Sequence, residues 1–111
     1  DIATLLRVTY NPSDLVDLNS FDWLAFWFYL SSLTHHLSAV VRVYTDIANY
    51  GSYDFSSLIS SGSWLRLRVP KSSFVEVGSV EWDELDSIVI EVSKTELESW
   101  FFVIDDLGGY E

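Results

Sequence analysis

The chain has 111 residues, 49% hydrophobic and 16% aromatic, with six Lys plus Arg against seventeen Asp plus Glu for a formal charge of −11. That length is one domain able to bury roughly two thirds of its unfolded surface in a single core, and the apolar content excludes a disordered chain despite the charge. The acidity argues against nucleic acid as a partner, because phosphates require a basic surface, and equally against an anionic membrane.

Taken in order, Thr4 to Tyr10 is a β-branched and aromatic run that stops at the turn signal Asn11-Pro12, so a first strand is predicted over residues 3 to 10. Residues 13 to 20 are polar and Asp-rich, a loop or a single helical turn. Phe21 to Leu30 is the most aromatic stretch. It is too short to span a bilayer and Asp22 interrupts it, so no membrane insertion is expected. As a strand it sets Leu24, Phe26, Phe28 and Leu30 on one face and Trp23, Ala25, Trp27 and Tyr29 on the other. With both faces apolar, it is predicted to be a central strand whose second face is also covered.

Residues 31 to 38 form a loop holding His35 and His36. The next strand, over 39 to 45, turns Ala39, Val41 and Val43 inward and Val40, Arg42 and Tyr44 the opposite way. A turn is predicted over 46 to 51, a short strand over 53 to 55, and a Ser- and Gly-rich loop over 56 to 63 with room for one helical turn. Trp64 to Val69 alternates strictly, Leu65, Leu67 and Val69 toward the core and Trp64, Arg66 and Arg68 away, until Pro70 ends it. Residues 71 to 84 make a long connection with Phe74 and Trp82 as buried pegs. Strands follow over 87 to 92 and 100 to 107, and Gly108-Gly109 ends the domain or begins a linker. About seven to nine strands, with turns every eight to twelve residues and no long helix, mean an all-β, antiparallel two-sheet β-sandwich filling residues 1 to 111.

The chain has no cysteine, hence neither disulfide nor thiolate chemistry, and the redox compartment is not readable from it. It has no Met even at position 1, and with Asp-Ile-Ala at its start it reads as an excised piece of a longer polypeptide. No Asn-x-Ser/Thr glycosylation acceptor is present.

The ordered series Asp17-Leu18, Phe21 to Trp27, Val41 to Asp46, Asn49-Tyr50, Gly62-Ser63-Trp64 through Pro70 to Phe74, Gly78 to Trp82, Ile88 to Val92 and Phe102 to Leu107 resembles a carbohydrate-binding-module-like sandwich of the jelly-roll, galactose-binding-like type. The resemblance covers about residues 15 to 107. It implies a non-catalytic accessory domain of a larger parent polypeptide: a glycan-active enzyme, a surface protein, or a phage tail or appendage protein. An extracellular, cell-surface or virion location follows. The partner would be a polysaccharide or glycan, although some members of such families are spacers without a sugar ligand.

A sugar site needs flat rings for the apolar face of a pyranose and polar groups for its hydroxyls. The strand face away from the core offers Trp27, Tyr29, Arg42, Tyr44, Trp64, Arg66 and Arg68. The stretch Asp46 to Asp54 offers a second surface, with Tyr50 and Tyr53 beside Asp46, Asn49 and Asp54. Two roles are open to each ring: exposed sugar platform, or second layer of core. The Asp46 to Asp54 stretch is equally readable as an ordinary hairpin turn. The resemblance places Trp64 and Trp82 as packing pegs.

The acidity is either plain solubility or a gathering of carboxylates around calcium, which takes oxygen ligands. The resemblance favours Asp105 as ligand of a structural calcium, with backbone carbonyls and an N-terminal carboxylate such as Asp1 beside it. The first strand departs from the family's pattern in carrying no acidic residue. Successive strand residues point apart, so only one of Asp105 and Asp106 should join a given site.

Catalysis is not expected. His35 and His36 are adjacent and lack a Glu or third His at metal-ligand spacing. Neither a Gly-x-Ser-x-Gly elbow nor a phosphate-binding loop is present. With seventeen acids, accidental carboxylate pairs resembling a glycosidase pair are common. The leading expectation is a carbohydrate-binding module, and the alternative a structural or interaction sandwich of a larger surface or phage tail protein.

Overall fold

A computed structural model describes residues 4–32, 37–94 and 99–110. Eight strands run in chain order: β1 Thr4–Tyr10, β2 Trp23–Leu30, β3 Leu37–Asp46, β4 Asn49–Asp54, β5 Trp64–Pro70, β6 Val75–Val77, β7 Ser87–Lys94 and β8 Phe102–Tyr110. They form two antiparallel sheets, a five-stranded one in the order β1-β7-β3-β4-β6 and a three-stranded one in the order β5-β2-β8. The only helical pieces among the described residues are 3-10 turns at Ser56–Leu58 and Lys71–Ser73. His35, His36 and Asp1 lie outside the described residues.

Alternation decides which side chains meet. Leu24, Phe26, Phe28 and Leu30 of β2 are fully buried and face Ala39, Val41 and Val43 of β3 and Ile88, Ile90 and Val92 of β7 within one hydrophobic cluster. Phe55 is driven into its middle, edge-on to Phe26 at 5.8 Å and to Phe28 at 5.2 Å. Phe74 is the buried peg expected of the long connection, and Trp82, partly buried, packs edge-on against it at 5.3 Å.

Four expectations are corrected. The second face of β2 is only partly roofed: Ala25 on it is buried but Trp27 is 38% exposed, because no further layer among the described residues covers the smaller sheet. The turn predicted over 46 to 51 shrinks to Ile47-Ala48, since Asp46 already pairs with Asn49 and the strand runs on to Asp54. Tyr53 pairs with buried Val41 and packs on the core against Phe74 at 6.3 Å, so it stands on the opposite face from Tyr50. Gly108 and Gly109 are neither domain end nor linker: they pair with Ala25 and Leu24 inside β8. A Cβ on Gly109 would lie 2.8 Å from both Leu18 and Phe21, so the side chains packed there need a residue without one.

The four sheet edges differ. β6 is only three residues long, β5 closes with Pro70, and β8 carries an irregularity opposite Phe26. β1 pairs with β7 in unbroken register over all seven residues. Val8 and Tyr10 face the core side by that register, yet stay 44% and 49% exposed, because among the described residues the smaller sheet has no fourth strand above them.

Candidate binding face on the three-stranded sheet

The outward positions of β2, β5 and β8 fall into rows across the strands. Tyr29 sits between Trp64 and Val103, Trp27 between Arg66 and Asp105, Ala25 between Arg68 and Gly108, and Trp23 between Pro70 and Tyr110. Trp64 is 51% exposed and Phe101, just before β8, 55%. The ring of Tyr29 lies 5.4 Å from that of Trp64 and 6.2 Å from that of Phe101, so three aromatics form a strip across the sheet. Phe101 is held there by paired hydrogen bonds: its N–H donates to Ser31 Oγ at 2.9 Å, and its carbonyl accepts from Ser31 N–H at 3.0 Å.

Trp64 is therefore a surface ring rather than the packing peg the resemblance implied. Its strand parity, shared with Arg66 and Arg68, already carried that signal. Phe101 and Val103 were missed, although they alternate with the core-facing Phe102 and Ile104 along the last strand.

The basic residues on this face are held by their neighbours. The Arg66 guanidinium lies 4.8 Å above the Tyr110 ring and 5.5 Å from that of Trp27, and its Nη1 is 3.7 Å from Asp106. Arg68 lies 4.9 Å over the Trp23 ring.

Asp105 and Asp106 do not diverge as simple alternation requires. Two residues, Asp106 and Leu107, oppose the single Phe26 of β2, and Asp106 has a left-handed φ of 54°. This bulge brings the Asp106 carboxylate to Arg66 while Asp105 stands opposite Trp27. Among the described residues no group of three His, Cys, Asp or Glu side chains is gathered for a metal, and calcium wants six to eight oxygens.

Apart from the core-facing Tyr53, the other predicted residues belong to a separate surface, the outer face of the five-stranded sheet and the β3–β4 hairpin. Tyr44 and Tyr50 are cross-strand partners with rings 5.2 Å apart. Arg42 is ion-paired with Glu91, which also takes Arg7 at 2.8 Å. Asp46 and Asn49 serve the turn: the Asp46 carboxylate accepts from Ala48 N–H at 2.8 Å and from Asn49 Nδ2 at 2.9 Å. Asn49 Oδ1 in turn accepts from Ser79 N–H at 2.9 Å. The Asn49 side chain, and then the Ala48 N–H, hold the Asp46 carboxyl below its ordinary range. Of the predicted sugar-binding residues, the structure brings together Trp27 and Tyr29 on the smaller sheet, and Arg42, Tyr44 and Tyr50 on the larger.

Comparisons of the chain with protein-family models, with curated proteins and with solved structures return no match.

Proposed function

We propose that this domain is a non-catalytic carbohydrate-binding module whose ligand, a polysaccharide, lies across the outer face of the three-stranded sheet. The observation that carries this reading is the strip of exposed Phe101, half-buried Tyr29 and exposed Trp64, with exposed Trp27 beside it. Rings presented on an open face can each take the apolar side of one sugar, while Asp105, in the row of Trp27, and Arg68, in the row beside it, stand on the same face to meet hydroxyls. An open sheet face suits an extended polymer better than a small molecule, which needs a concave pocket. On this reading the domain tethers a larger parent polypeptide to its glycan, at an extracellular, cell-surface or virion location.

Affinity electrophoresis against a panel of soluble polysaccharides tests it. Retardation by one polysaccharide, lost in Trp64→Ala and Trp27→Ala, is the expected result. Migration unchanged by every polysaccharide rejects the module.

The alternative, a structural or interaction sandwich of a surface or phage tail protein, has its own support in β1. That edge strand leaves Leu5, Val8 and Tyr10 exposed and has an unbroken register, a surface suited to a neighbouring protein.

A further inference from the structure

We propose that the recess between Trp27 and Trp64 binds an organic ammonium group, with the Asp105 carboxylate as its counter-ion. Two sources carry that chemistry: the free amine of an amino-sugar polysaccharide, and a quaternary ammonium such as a choline headgroup. The first source rests on the glycan reading given above; the ammonium chemistry itself does not.

The recess has a volume of about 390 Å³ and is lined, among the described residues, by Trp27, Trp64 and Asp105. Indole faces attract cations through their quadrupole, indole more strongly than the other aromatic rings, and an adjacent carboxylate adds direct charge attraction. Trp27 already shows this behaviour toward a cation of its own chain, since Arg66 lies 5.5 Å from its ring.

Charge accounting then points outside the molecule. All six Lys and Arg side chains are engaged elsewhere. Arg7 and Arg42 pair with Glu91, and Arg66 is held by Tyr110, Trp27 and Asp106. Arg68 covers Trp23, Lys71 binds the Leu18 and Asn19 carbonyls over Trp82, and Lys94 binds the Ser32 carbonyl over Trp100. Asp105 accepts one hydrogen bond, from Asp106 N–H at 2.9 Å, and makes no ion pair among the described residues. An acceptor-only carboxylate lining one recess with two exposed indoles repels uronates and sulfate esters and favours a cation. The net charge of −11 draws cations toward the domain as a whole.

The experiment is a tryptophan-fluorescence titration at a pH below that of amine deprotonation. Its ligands are a glucosamine oligosaccharide, its fully N-acetylated counterpart, and choline, and its proteins are the native chain, Asp105→Asn and Trp64→Ala. The native chain should prefer the free-amine oligosaccharide over the acetylated one by about tenfold. Asp105→Asn, nearly isosteric at an exposed position, should erase that preference, and Trp64→Ala should weaken both. General attraction to an acidic protein survives Asp105→Asn, so a preference that persists in that variant overturns the proposal. Equal affinity of the native chain for the two oligosaccharides overturns it too, and leaves the glycan reading standing. Choline binding that depends on Asp105, without binding of either oligosaccharide, supports the ammonium site and counts against the glycan platform. Absence of binding by all three ligands overturns the ammonium site.

Discussion

Tyr29 and Trp64 are direct partners across the β2–β5 pair, their rings 5.4 Å apart and tilted by 46° on the solvent side of the sheet. Such a pair adds only about 0.5–1.5 kcal/mol beyond area burial. Trp64→Ala is therefore expected to lower folding stability by less than about 2 kcal/mol while abolishing retardation by polysaccharide. Urea denaturation run beside affinity electrophoresis checks both halves. A variant that unfolds early and still binds would place the ring in the core and remove it from the site.

Phe55 is the counter-case. It is fully buried and wedged between Phe26 and Phe28 where the two sheets meet. Phe55→Ala should cost about 3–5 kcal/mol through lost transfer energy and the cavity left behind. The denaturation midpoint of the variant reads that cost directly.

Gly62 and Gly78 separate backbone strain from crowding. Both have positive φ, 73° and 71°, where a Cβ costs about 1–2 kcal/mol. Around Gly62 the space is open, but a Cβ on Gly78 would stand 2.3 Å from Asn49 Oδ1 and 2.7 Å from the Ala48 carbonyl. Gly62→Ala should lose only the strain energy. Gly78→Ala must also displace the hairpin and its bond to Ser79, for a further loss of about 1–3 kcal/mol. Equal losses for the two variants, measured by thermal unfolding, would contradict the contact.

The Asp46 carboxyl is held below its ordinary value of 3.8, chiefly by the Asn49 side chain. A depressed folded-state pKa contributes stability that is fully present above that ordinary value and is lost as pH falls through the lowered one. Asn49→Ala should raise the Asp46 pKa toward its ordinary value, with the Ala48 N–H keeping part of the depression. It should also flatten the acid limb of the stability curve below pH 3.8. An NMR titration of the Asp46 carboxyl carbon follows the first effect.

The sheet faces were legible because alternation is local: Ala39, Val41 and Val43 turned inward, and Trp64, Arg66 and Arg68 outward, as their parity requires. The two-sheet sandwich followed from strand spacing. What β2 faces on its second side was not legible, because aromatics at Trp27 and Tyr29 satisfy a buried layer and an exposed platform equally well. Nor was the division of the site between sheets, since strand order depends on non-local pairing. The Asn-Tyr-Gly-Ser-Tyr composition of 49 to 53 reads as a turn, yet β3 and β6 on either side hold it as a strand. Asp46 and Asn49 look like ligand residues by type, but the two-residue turn uses their side chains.

The bulge at Asp106 works as a phase shift in the strand. Before it, odd-numbered residues of β8 look outward; after it, even-numbered ones do, so Leu107 stays with the core while Tyr110 comes out beneath Arg66. Deleting that single residue would restore a plain two-residue period without changing any facing: Leu107 would stay opposite Phe26 on the core side and Tyr110 opposite Trp23 on the outer one. One codon thus separates a strand that sets a carboxylate against Arg66 from one that leaves the guanidinium on its rings alone. The halves of β8 on either side can diverge independently, the first setting the recess and the second the clamp on the arginine.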